Sequence, residues 1–319
     1  MEQPFVRIGQ GPILTRRDLP FTANAVFNPG VAEMDGEVVL LLRIEDRQGL
    51  SHVRVARSSN GVDAWKIADE PILQPDQPDQ PYEEWGCEDA RVTQIGDREW
   101  LIAYCAFSRY GPAVALATTT DFVSAKRLGI VLPPTNKDAT VFPEQVEGNW
   151  ILLHRPVTGG GEHIWYARSE TDFFHWCEHG ILMSEGGGPW WDGLKIGCGV
   201  PPIKTEHGWL LIFHGVKDMA GNPIYRLGLA LLDLEDPRKV LFRSSECVFS
   251  PETEYETSGL IPNVVYTCGA LLRGDQVWMY YGAADTVIAL AIANIKELLT
   301  FVEEYDFISR IGRRKGMVG

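Results

Sequence analysis

Long apolar segments, a basic leader and paired cysteines are all missing from this chain. No window approaches ~18 uninterrupted apolar residues, so no transmembrane span is predicted. The N-terminal segment "MEQPFVRIGQGPI" has neither a basic start nor an apolar run, and no secretory signal is expected from it. The six cysteines are scattered without a C-x-x-C pair. These absences predict a reduced, cytoplasmic protein.

Positive charge is also scarce. The chain has 29 Lys and Arg against 43 Asp and Glu, for a net charge of −14. Nucleic acid is therefore not expected as a partner, because phosphate backbones require basic patches. If the ligand is an anion, some of the Lys and Arg residues must converge locally against the overall charge.

Several catalytic and binding motifs are absent. No G-x-S-x-G occurs, which argues against a nucleophilic serine. The segments "VTGGGEH" (157–163) and "SEGGGPWW" (184–191) lack the G-K-[ST] ending of a phosphate loop, and we interpret both as flexible loops. The segment "HWCEH" (175–179) has no second ligand pair, which disfavours zinc. Neither a metal nor a cofactor is expected, and carboxylates remain as the candidates for catalysis.

A repeat runs along most of the sequence. Apolar strand patterns that follow a turn recur roughly every 50 to 67 residues, at 36–46, 97–108, 148–157, 207–216 and 274–285. Each is followed by another predicted strand that ends in a small polar turn. Each is also preceded by one that begins at a polar or proline-containing step. These preceding segments are "NPGVAEMD" (28–35), "EDARVTQI" (88–95), "FPEQVE" (142–147), "VPPIKTE" (200–206) and "PNVVYTCGALL" (262–272).

Evenly spaced strands with almost no helical periodicity before Ile295 predict radial repetition. We expect an all-β, five-bladed β-propeller that forms a single catalytic domain over residues 1–319. A four-bladed arrangement is the alternative, in which the first unit is partial and is closed by the C-terminal segment. The tail at 294–316 mixes helical and strand patterns and stays unassigned. In a propeller, the polar ends of the inner strands meet at one mouth.

The repeat positions nominate the polar residues that would share this mouth. They are Asn28, Arg43, Asp46, Glu88, Asp89, Arg91, Lys137, Asp138, His154, Arg155, Lys195, His214, Asn263 and Asp285. The cationic members imply an anionic ligand, because Arg and Lys are the usual means of holding phosphate. The alternative is local pairing, with Arg43 bound to Glu45 or Asp46 and Arg91 bound to Asp89.

One acid with a cation cluster favours phosphorolysis over hydrolysis. Hydrolysis of a glycoside with inversion uses a second carboxylate to activate water. Phosphate is already an anionic nucleophile and would be repelled by that second carboxylate. An acid at Asp89 would have to be protonated near neutral pH. Burial and Glu88 would favour this, and Arg91 would oppose it. Glu83 and Glu84, in the proline-rich loop before it, are expected to be solvated.

The chain resembles glycoside hydrolase family 130, the β-mannoside phosphorylases and related enzymes, over most of residues 24–293. The blocks that carry the resemblance are "FNPGV", "LLRIEDRQGLSHVRVARSSNG", "WGCEDARVT", "NKDATVFPEQ", "LLHRP", "KIGCGVPPIKTEHGWLLIFHGV" and "YYGAADTVIALA". The resemblance implies a five-bladed propeller with its site at the central channel, and a homo-oligomer. Ala90 stands where the family commonly has Pro, and Thr140 where an aliphatic residue is frequent. The subfamily, the linkage (β-1,4 or β-1,2) and the acceptor sugar therefore stay open.

The resemblance also implies roles for particular residues. Asp89 corresponds to the family's general acid. The phosphate-binding residues correspond to Arg43, Lys137, Arg155, Lys195 and His214. Sugar contacts fall on Asn28, Asp46 and Asp285, and Arg91 and Asp138 join them as substrate-binding candidates from their place in the repeat.

The implied reaction is inverting phosphorolysis of a β-mannoside, with inorganic phosphate as co-substrate and α-mannose 1-phosphate as product. A β-mannosidase that uses water and a non-catalytic carbohydrate-binding propeller are the alternatives.

Overall fold

The computed structural model describes residues 3–158 and 161–307, and within these ranges the fold is all-β. Apart from the strands it has a 3₁₀ turn at Pro81–Glu83 and two helices, α1 (Glu254–Thr257) and α2 (Ile295–Glu304). Neither of these helices has the length and apolar character that crossing a bilayer requires.

The strands fall into five consecutive sets. The first set is β2 (Ala25–Met34), β3 (Glu37–Glu45), β4 (Ser51–Ser58) and β5 (Lys66–Ile67), and the second is β6 (Gly86–Gly96), β7 (Glu99–Ser108), β8 (Gly111–Thr119) and β9 (Lys126–Leu132). The third is β10 (Asn136–Val141), β11 (Trp150–Pro156), β12 (Ile164–Ser169) and β13 (Cys177–Met183). The fourth is β14 (Lys195–Cys198), β15 (Ile203–Thr205), β16 (Gly208–Asp218), β17 (Pro223–Leu232) and β18 (Val240–Arg243). The fifth is β19 (Val265–Arg273), β20 (Gln276–Ala283) and β21 (Val287–Asn294), joined by the N-terminal β1 (Val6–Arg7).

Antiparallel pairing dominates within the sets. The first two sets are counted as one eight-stranded sheet, but only one parallel residue pair, Ser51 with Gly86, joins β4 to β6. The fifth set is completed by the other end of the chain, because Val6 and Arg7 pair with Ile292 and Ala291 of β21. The two ends of the described chain therefore meet in one sheet.

Apolar side chains lie on both faces of the central strands. In β3, "EVVLLLRIE", every residue from Val38 to Leu42 is fully buried. A short, continuous apolar run of this kind is typical of a strand covered on both sides. Five apolar clusters supply this cover, and each joins residues of two consecutive sets, including the fifth with the first. The sets therefore follow one another in a cyclic order.

The first strands of the five sets lie side by side in the order β19, β2, β6, β10 and β14, which follows the order of the clusters. Thr93 Oγ1 of β6 donates a hydrogen bond of 3.0 Å to the Val141 carbonyl of β10. Close backbone approaches make the other contacts, and glycine is required there: a Cβ on Gly30 would lie 2.4 Å from the Ala90 carbonyl oxygen, and one on Gly269 would lie 2.6 Å from the Val31 nitrogen. The contacts run from β2 to β6, from β10 to β14 and from β19 back to β2.

The five apolar segments chosen from the repeat are all strands, namely β3, β7, β11, β16 and β20. The prediction for the strand before β11 was wrong. The segment 142–147 is not a strand, and β10 ends at Val141, directly before it. Pro143 lacks the N–H that a paired strand needs, so the ladder ends ahead of it.

The unassigned tail begins with α2. The Asn294 side chain caps the first turn of this helix by accepting a 2.9 Å hydrogen bond from the Lys296 amide. Residues 308–319 of that tail lie outside the described residues.

Candidate active site

A bulge with the same geometry occurs in three of the first strands. The pairing register shifts at Phe27/Gly30 in β2, at Glu88/Arg91 in β6 and at Lys137/Thr140 in β10. Within each shift one polar residue has a left-handed backbone: φ is 45° at Asn28, 51° at Asp89 and 55° at Asp138. Asn and Asp tolerate this conformation better than most residues. A bulge re-aims a side chain, and here it turns three polar groups toward one space.

That space is a cavity of about 350 Å³. Nine of the predicted site residues line it: Asn28, Arg43, Asp89, Lys137, Asp138, Arg155, Lys195, His214 and Asp285. Its other lining residues, which were not predicted, are Pro223, Tyr225, Ile261, Val264 and Tyr266. The cavity therefore has a charged wall, built mainly from the first three sets, and a wall with aromatic and apolar side chains from the last two.

Asp89 is held by two donors at the charged wall. Its Oδ1 accepts hydrogen bonds of 2.9 Å from Asn28 Nδ2 and from Arg43 Nη1. Arg43 Nη2 also binds Glu88 Oε1 at 2.8 Å, so one guanidinium bridges two adjacent carboxylates. The local partners expected for Arg43, Glu45 or Asp46, are therefore replaced by acids from the second set.

The two adjacent carboxylates have opposite pKa shifts. Burial acts to raise the pKa of Asp89, but the positive charges of Arg43 and Lys137 outweigh it and lower that pKa below its ordinary value. Burial raises the pKa of Glu88, despite the attraction of Arg43. The directions of the two shifts mean that Asp89 loses its proton more readily than Glu88 does.

Asp138 forms a second, more enclosed cluster. Its Oδ2 accepts a 2.6 Å hydrogen bond from Arg155 Nε, and its Oδ1 accepts one of 2.8 Å from the Tyr266 hydroxyl. Burial opposes its charge, but Arg155 and the neighbouring basic groups hold the pKa of Asp138 well below its usual range. Arg155 is also paired with the carboxylate of Glu162, which lies in the first glycine-rich loop.

Two lysines enter the cavity with few partners. The side chain of Lys137 makes no hydrogen bond or ion pair with any described residue. Burial acts to lower the pKa of Lys137, but the charge of Asp138 reverses this and raises it, so Lys137 is cationic. Lys195 Nζ lies 5.5 Å from the centre of the Tyr225 ring. Residue 195 also pairs with Glu162 in a parallel bridge, which brings residues 161–163 of the glycine-rich loop to the edge of the cavity.

His214 lies at the back of the cavity and is 1% exposed. Burial lowers its pKa to about 3, and Arg155 and Arg91 contribute to this shift. His214 is therefore neutral at pH 7 and does not add to the positive charge that the sequence suggested. Its Nε2 lies 3.5 Å from Asp138 Oδ2, and its ring lies 4.7 Å from that of Tyr266.

Asp285 contributes a third carboxylate, which forms no hydrogen bond with the described residues. Burial raises its pKa to about 6, and Arg43 only partly offsets this. Asp285 is thus the one cavity residue for which the structure gives a pKa close to neutral.

Five of the fourteen nominated residues do not line the cavity: Asp46, Glu88, Arg91, His154 and Asn263. Arg91 is buried behind it and donates to the carbonyls of Asp89, Cys198 and Gly199 and to the Tyr266 hydroxyl, at 2.8 to 2.9 Å. It links the second set to the fourth and fifth. Asp46 lies in the turn after β3, where its Oδ1 accepts hydrogen bonds from the amides of Gln48 (2.7 Å) and Leu50 (3.0 Å).

The expectation of a solvated Glu83 was wrong. Glu83 is 2% exposed and accepts hydrogen bonds from the Tyr104 hydroxyl, from Cys87 Sγ and from Arg127 Nε. β6 begins three residues after Glu83, so the glutamate lies next to the start of that strand. Glu84 is paired with Arg109 at the surface.

Tyr225 and Tyr266 were missed because each lies in a strand that reads as ordinary apolar core. The glycines facing the site were missed as well. A Cβ on Gly282 would lie 2.1 Å from Asn28 Oδ1, and one on Gly197 would lie 2.4 Å from Asp138 Oδ2. A residue other than glycine at either position would displace a cavity side chain.

The described parts of the chain, 3–158 and 161–307, contain no group of three or more His, Cys, Asp or Glu that could hold a metal ion. In the segment "HWCEH" (175–179), His179 Nδ1 lies 3.2 Å from His154 Nε2. Burial lowers the pKa of His154 to about 3. This pair supports β11 and does not line the cavity.

Comparisons with known proteins give a consistent family. The model of glycoside hydrolase family 130, described as beta-1,4-mannooligosaccharide phosphorylase, matches residues 8–304. A 1,2-beta-oligomannan phosphorylase of Thermoanaerobacter sp. is 35% identical, with 92% of this chain and 98% of the relative covered. A beta-1,4-mannooligosaccharide phosphorylase of Ruminococcus albus is 29% identical, with 95% and 92% covered.

A solved structure is similar over the whole fold. The beta-1,2-mannobiose phosphorylase from Listeria innocua, in complex with beta-1,2-mannobiose, superposes with a TM-score of 0.86 at 34% identity. The match covers 94% of this chain and 99% of that one. By both its sequence and its fold, the chain belongs to glycoside hydrolase family 130.

Proposed function

We propose that the protein is an inverting phosphorylase that cleaves a β-mannoside with inorganic phosphate and releases α-mannose 1-phosphate and the shortened sugar. The observation that carries the proposal is the cavity itself, where the cations Arg43, Lys137, Arg155 and Lys195 line the same space as Asp89. A phosphate dianion has its natural place among these groups, because it relieves their mutual repulsion and satisfies their donors. The phosphorylase names of the relatives point to the same reaction.

Asp89 is proposed as the general acid. In the free protein Arg43 and Lys137 keep it ionised. Phosphate bound to these cations would place negative charge beside Asp89 and weaken the attraction that lowers its pKa. The acid would then be protonated when the nucleophile is present, with the neighbouring Glu88 as the nearest source of a proton.

The other cavity residues divide between the two substrates. Arg43, Lys137, Arg155 and Lys195 hold phosphate, and neutral His214 contributes a hydrogen-bonding ring nitrogen. Asn28, Asp138 and Asp285 remain as groups for the sugar hydroxyls. Arg91 acts indirectly, since it fixes the backbone of Asp89 and the hydroxyl of Tyr266 from behind.

The proposed architecture is a five-bladed β-propeller in one domain, 1–319, with the cavity at its central channel. Each strand set would be one blade. The cyclic order of the apolar clusters and the order of the first strands support this arrangement. A four-bladed arrangement would leave one of the five sets without its place in that order. A cytoplasmic location and a homo-oligomeric state stay expectations from the sequence.

The linkage is best approached from the relatives. The Thermoanaerobacter and Listeria proteins, at 35% and 34% identity, are named for β-1,2 linkages, and the Ruminococcus protein, at 29%, for β-1,4. A β-1,2-linked mannoside is therefore the first substrate to try, with the β-1,4-linked isomer beside it.

A product assay tests the function. The protein is incubated with β-1,2- and β-1,4-mannobiose, with and without inorganic phosphate, and the products are identified by phosphorus and proton NMR. The expected result is α-mannose 1-phosphate from one isomer, only when phosphate is present. Free mannose formed equally fast without phosphate would mean a β-mannosidase, and binding without either product would mean a carbohydrate-binding protein. Either result overturns the proposal.

A further inference from the structure

Three aromatic side chains are exposed together near the cavity. Tyr82, Trp85 and Tyr110 are 38%, 42% and 59% exposed. The rings of Tyr82 and Tyr110 are 5.6 Å apart, and Trp85 packs edge-on against Phe107 at 5.5 Å. We call Tyr82, Trp85 and Tyr110 the rim aromatics. Large apolar rings on a surface cost hydration free energy, and a group of them marks a place where something binds.

The loop that carries Tyr82 and Trp85 is anchored from below by a buried ion pair. Glu83, which lies between them, binds Arg127 Nε at 3.0 Å, together with Tyr104 and Cys87. Arg127 Nη2 also donates a 2.8 Å hydrogen bond to the Gln74 carbonyl at the start of the loop. Burying a charged pair carries a large desolvation cost. Here the buried pair of Glu83 and Arg127 fixes the position of the surface rings, as a preorganised binding site requires.

One of the rim aromatics, Trp85, lies close along the chain to a residue of the cavity lining. Trp85 precedes Asp89 by four residues, so their Cα atoms are at most about 13 Å apart at the rise of a strand. The Trp85 amide donates to the Phe107 carbonyl at 2.8 Å, which seats it at the start of the β6–β7 ladder. Next to it, Gly86 pairs with Ser51, whose hydroxyl accepts a 3.0 Å hydrogen bond from Arg43 Nε. An occupant of the cavity that extends outward along β6 would meet Trp85.

We propose that the rim aromatics form a distal carbohydrate subsite, which binds sugar residues of a mannooligosaccharide beyond the bond that is cleaved. This inference rests on the proposed function, since it takes its ligand from the same substrate. The C–H face of a pyranose ring packs on an aromatic face, and Tyr and Trp combine that face with a polar edge. Arg109 and Glu84, paired beside these rings, supply groups for hydroxyls.

An uncharged oligosaccharide fits this surface better than a protein does. The rim aromatics are only three side chains, whereas a stable protein interface buries about 800 Å² on each partner and about 20 to 30 residues a side. The site predicts a preference for substrates longer than the disaccharide.

The experiment compares substrates of different length with variants of the full chain. Steady-state rates of phosphorolysis are measured with mannobiose and mannotetraose of the linkage that the wild-type protein accepts. Trp85→Ala, Tyr110→Ala and the double variant are compared with Phe174→Ala, which removes an aromatic ring that is 49% exposed but lies outside the rim aromatics and the cavity lining. Trp85→Phe keeps an aromatic face and covers the case in which Trp85→Ala fails to fold.

We expect the double variant to lose about ten-fold in kcat/KM for mannotetraose, the effect of losing aromatic contacts. Mannobiose should be unaffected, and Trp85→Phe and Phe174→Ala should behave like the wild type. An equal loss for both substrates, or no loss for either, would overturn the inference. So would a change of mass in light scattering of the double variant, since it would make these rings a contact between copies of the chain.

A binding measurement separates this inference from the proposed function. Mannotetraose is titrated into the protein without phosphate, and tryptophan fluorescence is followed. A response in the wild type that Trp85→Phe alters and Phe174→Ala preserves supports the distal subsite even if no phosphorolysis occurs. Phosphorolysis with no such response, and with no dependence on chain length, would leave the proposed function standing and the distal subsite refuted.

Discussion

Arg43 Nη1 lies 2.9 Å from Asp89 Oδ1, so a residue that is proposed to bind phosphate donates a hydrogen bond directly to the proposed general acid. The same guanidinium holds Glu88 at 2.8 Å through its other terminal nitrogen. Phosphate that binds Arg43 would therefore act on the protonation of Asp89 without touching it. With the proposed roles, binding of the nucleophile and protonation of the acid would be coupled through this one guanidinium.

Replacing the acid should stop catalysis and spare phosphate binding. Asp89→Asn keeps the size of the side chain but cannot donate a carboxylic proton, so we expect kcat to fall by roughly 10² to 10⁴, the usual contribution of general acid catalysis. Phosphate should bind at least as well, because one negative charge leaves its surroundings. The assay of mannose 1-phosphate and calorimetric titration with inorganic phosphate check both points. Asp97→Asn, on the exposed turn after β6, is the control, and full activity of Asp89→Asn would refute the assignment.

Removing a cavity cation should act on phosphate in preference to sugar. Lys195→Gln deletes one of the charges proposed to hold phosphate, and we expect KM for phosphate to rise about ten-fold or more, the worth of a charge-assisted hydrogen bond. KM for the mannoside at saturating phosphate should change little. Lys217→Gln is the matched control, because Lys217 Nζ donates to the Pro189 carbonyl at 2.7 Å outside this cavity. Phosphate kinetics equal to those of the wild type would exclude Lys195 from the phosphate site.

Neutralising Glu162 should have the opposite effect. Its carboxylate is paired with Arg155 and so competes with phosphate for that guanidinium. Glu162→Gln is expected to lower KM for phosphate by about three- to ten-fold, the range of one removed repulsive charge near an anion. Glu185→Gln is the control. It changes the other glycine-rich loop, from which Glu185 pairs with His163, and it should leave KM for phosphate unchanged. A rise in KM with Glu162→Gln would mean that Glu162 supports the site.

Asp285 should make the stability of the protein depend on pH. Its pKa is raised to about 6 in the folded protein, against 3.8 ordinarily, so its neutral form is favoured by folding. The stabilisation is complete below about pH 4 and is lost as the pH rises through 6, by at most roughly 3 kcal/mol at 1.4 kcal/mol per pH unit. Asp285→Asn should remove this part of the pH dependence. Urea unfolding between pH 4 and 7 measures it, and identical curves for variant and wild type would contradict the raised pKa.

The repeat in the sequence located the five central strands and nine of the fourteen residues that line the cavity. A strand such as β3 is apolar throughout because it is covered on both faces, and that pattern is local. Asn28, Asp89 and Asp138 line one cavity for a reason that repeat position alone did not reveal: each takes a left-handed backbone inside a bulge. The recurrence of Asn or Asp at one place in successive repeats was the available sign of this.

Features that depend on contacts between sets were not predictable in the same way. Arg91 has the sequence environment of a site residue, yet two of its partners are the carbonyls of Cys198 and Gly199, more than a hundred residues away. Glu83 looked like part of a polar loop, and only the position of Arg127 on the far side of the second set explains its burial. The neutral state of His214 likewise follows from its burial among Arg155, Arg91 and Tyr266, which come from three different sets.

The pairing of β1 with β21 has a consequence for the order of synthesis. Val6 meets Ile292 only after nearly all of the described chain has been made, and the cavity takes Asn28 from the first set and Asp285 from the last. A nascent chain whose final strands have not yet been made therefore lacks both the pairing of β1 with β21 and the complete lining of the cavity. The strands that leave the ribosome last therefore complete the fifth strand set and the lining of the cavity together.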